Sequence, residues 1–508
     1  MKHKLTALVV GLSLTGLITT SSFATTNPDV KKLTRQVAQL EKQVKSLQKS
    51  KSNSENTNTV STSNVTADAT KQNRDSLTYF PMDLGVPGKS YVSTGHYIGI
   101  PLEYAGGDLI INAPSVNQDL SLLKVRKNID SHLAGMGVQE TPSSTHLLLS
   151  GIVEGQAKYA QIGGGHPTSD IDISSAGLDA YILGPGSWLS SLIAFTYDNN
   201  PGTISGSLAN NARVQNSRVY LSQAFVTVGN LIKTPFYFTF GQLTVAFGTF
   251  SSNMVSTPLT KLLAGTKARA VVLGYHPQVD NTFYAAGYAF KGDTHLSGQS
   301  RINNGGINFG YQFTGNTISG DIGGGVIANI ADSAGMQNVG NSSANFNGFG
   351  GSPSAITGNP TGSETIAHRV PAYDVRGIVS IGKQIDVLAE YISASKQFSP
   401  SDLTMNGHGA KPQALNAEIA YTFNTFAHPS SIAVGYGMTK DALALGLPAK
   451  RYSFVYNTSI WNDTLQSIEF RHEVNYSASS TASGSGIAAA SESGKSDNIV
   501  TAQFDVYF

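Results

Sequence analysis

The chain has 508 residues, 53 of them glycine and none cysteine, with 13% charged residues and a formal net charge of +1. Average chains carry about 25% charge, so this one is charge-poor and glycine-rich, and its balance gives no reason to expect a nucleic-acid partner. The lack of Cys excludes a disulfide framework, a thiolate metal site and a lipidated N-terminal cysteine.

Residues 1–24 read as a secretory signal peptide. Lys2, His3 and Lys4 precede an apolar run from Leu5 to Ile18, and Ser22 and Ala24 occupy the small-residue cleavage positions. The run is shorter than the roughly 20 residues a membrane-spanning helix needs. An exported mature chain beginning at Thr25 is expected.

Residues 25–50 carry an apolar seam at Val30, Leu33, Val37, Leu40, Val44 and Leu47. The alternating steps of three and four make a heptad with Val at a and Leu at d, so a short periplasmic coiled coil and a homo-oligomer through residues 30–47 are expected. Lys31, Lys32, Arg35, Lys42, Lys45 and Lys49 outnumber the one acid between them, Glu41. They form a solvated basic face, or one that meets an anionic envelope polymer. Residues 51–75 are rich in Ser, Thr and Asn and read as a flexible polar linker.

Residues 76–144 mix short apolar runs with Pro and Gly. They form either a small periplasmic element or a piece inserted into a pore. "GVPGKS" lacks the spacing of a phosphate loop, because Asp83 stands where the earlier glycine belongs. A helix is expected after Pro114, with Leu120, Leu123 and Lys124 packed or snorkelled.

From residue 145 to 508 the period is two. Strands are expected at 145–160, 174–183, 188–197, 218–229, 235–248, 267–276, 282–291, 305–313, 316–330, 372–381, 385–394, 413–423, 430–440, 450–460, 464–476 and 497–508. Short links follow the even-numbered strands and long links the odd-numbered ones. That parity predicts an all-β fold, a transmembrane up-and-down antiparallel barrel of about 16 strands, with tight turns and both barrel ends in the periplasm. The location expected is the outer membrane of a Gram-negative bacterium, with lipid around the barrel. Trp188 and Trp461 lie beside short turns, as interfacial aromatics do.

The last strand, "IVTAQFDVYF", places Phe504, Val506 and Phe508 on one face and Gln503, Asp505 and Tyr507 on the other. The apolar face is expected to meet lipid and to be read by the outer-membrane insertion machinery. Applied to the other strands, the same alternation turns one set of charges inward: Glu154, Lys158, Asp374, Arg376, Asp386, Glu390, Glu418, Arg451, Glu469, Arg471 and Glu473. They are candidates for a substrate pathway, or for an ion-pair network that keeps the interior satisfied. Sixteen strands leave room for an aqueous channel. By analogy with general porins, loop 249–266 is a candidate to fold inward and narrow it.

No metal-ligand spacing, nucleotide loop or marked nucleophile is present: "SDID" (169–172) is too small for calcium, and "GGG" (323–325) lies within a strand. No enzyme, cofactor or metal is expected.

The layout of leader, coiled coil, linker and barrel, with "GGDLIINAPSVNQDLSLLKVRK" (106–127) and "QAFVTVGNLIKTPFYFTFGQLTVAFG" (223–248), resembles the LbtU-type siderophore porins, related to FslE and FupA. The resemblance implies passage of a ferric siderophore or iron without a large TonB-dependent plug. It supplies no ligand-contact residues. A general diffusion porin and a barrel-anchored adhesin or tether with a closed lumen are the competing readings.

Overall fold

The computed structural model describes residues 82–85, 90–94, 116–135, 145–184, 187–198, 218–277, 279, 281–296, 301–337, 349, 364–382, 384–426, 428–461, 464–484, 490–491 and 494–507. The expected leader, heptad seam and linker, and Phe508, lie outside them.

Sixteen strands pair antiparallel in chain order and close on themselves. They are β3 (Thr145–Gln161), β4 (Thr168–Leu183), β5 (Leu189–Asp198), β6 (Arg218–Gly229), β7 (Phe236–Thr244), β8 (Lys267–Tyr275), β9 (Thr282–Phe290) and β10 (Asn304–Thr314). The series continues with β11 (Ile318–Ile327), β12 (Ala372–Ile381), β13 (Ile385–Ala394), β16 (Gln413–Thr425), β17 (His428–Lys440), β18 (Lys450–Thr458), β19 (Thr464–Val474) and β22 (Ser496–Tyr507). Closure is the β22–β3 pair, in register from Tyr507 opposite Ile152 to Asn498 opposite Gln161. A closed sheet leaves no edge unpaired, which is what a lipid environment demands of a backbone.

The side chains follow an inside-out rule. Val375, Ile419, Val434, Phe454, Ile468 and Phe504 are exposed, whereas Asp374, Arg376, Glu390, Glu418 and Glu469 are buried. A water-soluble barrel would reverse this; an apolar outer belt around a polar interior is the arrangement lipid selects. His472, on the outer face of β19, is partnered there by the Asn498 side chain at 2.8 Å. No described helix is long and apolar enough to cross a membrane.

Two strand boundaries differ from the sequence reading by more than three residues. β4 begins at Thr168 rather than 174, because a bulge opposite Glu154 and Gly155 inserts an extra residue near Ser174. Ile171 and Ile173 face outward before it and Leu178 after it, so the parity switches and the period is hidden. β7 ends at Thr244 rather than 248. Val245 and Phe247 are apolar enough to read as strand, but both are fully buried where the chain leaves the wall.

At the short-turn end a hairpin of β1 (Met82–Gly85) and β2 (Ser90–Thr94) joins the closing seam. β2 lies parallel to β3 over residues 145–149, just beyond the point where β22 stops pairing. At the long-loop end β14 (Leu403–Met405), β15 (His408–Gly409), β20 (Thr481–Gly484) and β21 (Ala490–Ser491) form a small separate sheet. Phe349 and Phe398 stack at 5.6 Å in an apolar cluster with Leu403, Leu443 and Ala482 that ties these loops together.

Candidate permeation pathway

Among the described residues, two segments occupy the barrel interior. The first is α1 (Gln118–Gly135), whose N-terminal half packs on the inner face of β4 to β7. Leu122 and Leu123 are buried there with Tyr181, Leu192, Phe225 and Tyr237. The Tyr181 hydroxyl donates to the Leu122 carbonyl at 2.7 Å. Arg126 donates to the carbonyls of Gly184 and Leu189 at the short-turn end. Val116 bridges to Thr244 near the other end, so this stretch runs along the wall. Apolar side chains on a barrel's inner face are costly beside water, and α1 is what covers them.

The second is the strap between β7 and β8, with α2 (Leu259–Ala264) at its core. Gly248 starts it at φ +78, where a Cβ would sit 2.6 Å from the Phe250 ring and 3.0 Å from Glu390 Oε1. Only glycine suits that turn. The strap then lies against the opposite wall, which grips its backbone. Glu390 accepts from the N–H of Thr249 at 2.6 Å and of Phe250 at 3.2 Å, and from the Thr260 hydroxyl at 2.6 Å. Glu418 accepts from Ser252 Oγ at 2.6 Å and the Asn253 N–H at 2.7 Å. Glu469 accepts from the Ser256 N–H at 2.8 Å. Arg451 donates to the Thr257 carbonyl at 2.6 Å. Gly435 and Gly437 of β17 leave room for the strap, since a Cβ on either would come within 2.9 Å of Met254 or Leu259.

Most of the charges expected inside are thus brought together around the strap. Arg376 pairs with Asp374 and bonds Asn308, while the Tyr284 hydroxyl beside it donates to Asp321 at 2.8 Å. Gly325 of "GGG" makes space for this cluster, because a Cβ would sit 2.6 Å from Asp374 Oδ1. Glu473 holds Arg451 at 2.7 Å and Arg471 at 3.3 Å. Asp386 stands apart, bonded to Ser380 near the short-turn end. Glu154 on β3 accepts from Ser174 Oγ at 3.3 Å, and Lys158 on the same strand is exposed. Phe504 and Val506 are on the outer face, Phe504 with Trp461 at 6.0 Å.

Several interior groups were not among the candidates read from sequence. Asp505 is directly cross-strand from Glu154 and fully buried, and its Oδ2 accepts from Gln503 at 2.9 Å. Its strand face was legible from the last strand's alternation. Lys261, on α2, is half-buried and within electrostatic reach of Glu154, and its ammonium makes no hydrogen bond among the described residues. No period marks a residue on a strap, so no sequence signal identifies it. The arrangement brings a basic group on the strap within electrostatic reach of Glu154 on the wall.

No family model matches the chain. Among solved structures, it is similar to the anion-selective porin from Comamonas acidovorans, at a TM-score of 0.46 and 11% identity over 72% of this chain and 100% of that one. The outer membrane channel DcaP of Acinetobacter baumannii gives 0.44 and 13%, over 73% and 99%. The barrel assignment rests on the strand pairing itself. By sequence, a UPF0422 protein of Coxiella burnetii (strain RSA 493 / Nine Mile phase I) is 35% identical over 513 residues, spanning 100% of both chains. A UPF0422 protein of Legionella pneumophila (strain Philadelphia 1) is 37% identical over 462 residues, 88% of this chain and 83% of that one. With identity of this order along the full length, the chain belongs to the UPF0422 family.

Proposed function

We propose that this protein is a porin-type channel of the bacterial outer membrane, in which a narrowed, charged lumen admits a small solute selectively. The observation that carries it is the strap gripped by Glu390, Glu418 and Glu469. Three carboxylates committed to one loop hold an obstruction at fixed depth, which a merely filled barrel has no need to do. Polar groups lining a pore, at fixed separation, set which solutes cross it. Lys261 on the strap, within electrostatic reach of Glu154, is on this reading where the passage discriminates charge.

The substrate class is siderophore-bound iron, a reading supported by the resemblance to LbtU-type siderophore porins. The N-terminal helix and both barrel ends lie in the periplasm on this reading. The test is uptake of labelled iron, free and siderophore-bound, in a deletion strain with and without the gene restored. Loss of only the siderophore-bound route supports a specific iron channel; equal uptake in both strains rejects it.

The interior filling by α1 and the strap favours one alternative, a barrel that serves as an anchor with a closed lumen. Planar-bilayer conductance separates the two. Discrete channel openings exclude the anchor, and their absence excludes the channel.

A further inference from the structure

The pair of strands that closes the barrel sets two carboxylates face to face. Asp505 of β22 is directly cross-strand from Glu154 of β3. Both lie on the inner face, since their neighbours Phe504 and Val153 are exposed on the outer one. Opposite residues of an antiparallel pair stand about 5 Å apart, and like charges there repel. The surrounding side chains do not relieve this. Gln156 Nε2 donates to Gln503 Oε1 at 2.5 Å, Gln503 Nε2 donates to Asp505 Oδ2 at 2.9 Å, and the Tyr507 hydroxyl lies 3.4 Å from that same oxygen. Every donor converges on Oδ2. Asp505 Oδ1, on a residue with no exposed surface, has no hydrogen-bond partner among the described residues.

A separate observation comes from the next two strands along the same inner wall. Ser467 of β19 is diagonal to Asp505, and Asn457 of β18 is opposite Ser467. They are 2% and 0% exposed. Ser467 Oγ and Asn457 Oδ1 also lack a partner among the described residues. The Asn457 amide cannot turn over to correct this, because its Nδ2 already donates to the Asn253 carbonyl of the strap at 3.2 Å. Three buried oxygens on three adjacent strands thus have nothing to accept from, where buried polar atoms are ordinarily bonded.

We propose that Asp505 and Glu154 hold a hydrated divalent cation of the magnesium kind, whose water ligands donate to Ser467 Oγ and Asn457 Oδ1. Such an ion keeps several of its waters and is bound through one or two carboxylates, whereas calcium takes about 6–8 oxygen ligands. Among the described residues no three acidic or imidazole side chains converge as ligands, so the seam offers the first kind of site and not a full protein cage. The ion cancels the repulsion across the closing pair and ties β22 to β3, and through its waters to β19 and β18. The inference does not depend on what the barrel transports.

The test is metal content after dialysis. Full-length wild type in detergent is stripped with a chelator and equilibrated with magnesium chloride at mildly alkaline pH. One magnesium per chain is expected, with thermal unfolding shifted up. Asp505→Asn and Glu154→Gln are each expected to lose the ion and the shift while heat-modifiable migration shows a folded barrel. Asp386→Asn, a buried carboxylate elsewhere on the wall, is expected to keep both. Ser467→Ala, a mild truncation that folds in any case, is expected to bind several-fold more weakly. Wild type that takes up no magnesium overturns the proposal, since the two carboxylates then share a proton. Equal uptake by wild type, Asp505→Asn, Glu154→Gln and Ser467→Ala overturns it as well, because the ion is then held elsewhere.

Discussion

The Thr260 hydroxyl donates to the Glu390 carboxylate at 2.6 Å, although the two residues are 130 positions apart in the chain. The same carboxylate takes the N–H groups of Thr249 and Phe250, so Glu390 binds the strap at its departure from the wall and again within α2. A buried donor left without its partner costs about 1–3 kcal/mol. The strap's position is therefore set by a few side chains on strands β13, β16 and β19.

Glu418→Ala and Glu390→Ala should each loosen the strap. The first strands Ser252 and the Asn253 N–H; the second strands Thr249, Phe250 and Thr260. Larger and noisier single-channel conductance is expected, with the barrel's thermal unfolding in detergent shifted down. Unchanged conductance in both variants would show that the strap does not limit the passage.

Charge selectivity should respond in opposite senses to the two sides of the narrowing. Lys261→Gln removes the basic side and Glu154→Gln the acidic side. Reversal potentials across a salt gradient are expected to move towards cations for the first and towards anions for the second. Movement in the same direction, or none, places the discriminating section elsewhere.

The α1 helix is held by apolar burial and by Arg126. Leu123→Ala removes a side chain 2% exposed against the inner wall, and such truncations cost about 2–5 kcal/mol. Together with Arg126→Ala, which frees the Gly184 and Leu189 carbonyls, it should expose α1 to protease in otherwise folded barrels. Protection equal to wild type would show that other contacts hold the helix.

An arginine on the lipid face should impair folding by depth. Val434, exposed at 53% in the middle of β17, is such a place, and Val434→Arg is expected to cost about 2–4 kcal/mol. The measurement is the folded fraction in lipid vesicles, with Val434→Ile as the neutral control. Equal folding of the two would contradict the assigned outer face.

The long-loop end should tighten on mild acidification. Asp332 is buried between β11 and β12, bonded to Thr294 and Asn304, and burial raises its carboxyl above the ordinary range. A raised folded value means that folding favours the protonated form. The stabilisation is complete below the ordinary carboxylate range and is lost as pH rises through the raised value. Loop proteolysis is expected to speed up with pH over that window, and Asp332→Asn to flatten the dependence. A wild-type rate that falls with rising pH would reverse the assignment.

What the sequence by itself determined is what a period of two can carry: sixteen strands, their order, and which face of each meets lipid. Val375 against Asp374 and Ile419 against Glu418 are decided locally, because neighbours on a strand point to opposite sides whatever the rest of the chain does. The alternation of short and long links followed from the same reading. That logic fails where a backbone irregularity intervenes, as at the bulge near Ser174. It fails too where apolar residues leave the wall, as Val245 and Phe247 do. Only the tertiary structure decided what fills the barrel. A helix after Pro114 was legible, but not that Leu122 and Leu123 would meet Tyr181 and Phe225 inside. Nor was it legible that Glu390, Glu418 and Glu469 would clasp the strap. Those contacts join residues more than a hundred positions apart, and they exist only once the sheet has closed and brought its two inner walls face to face.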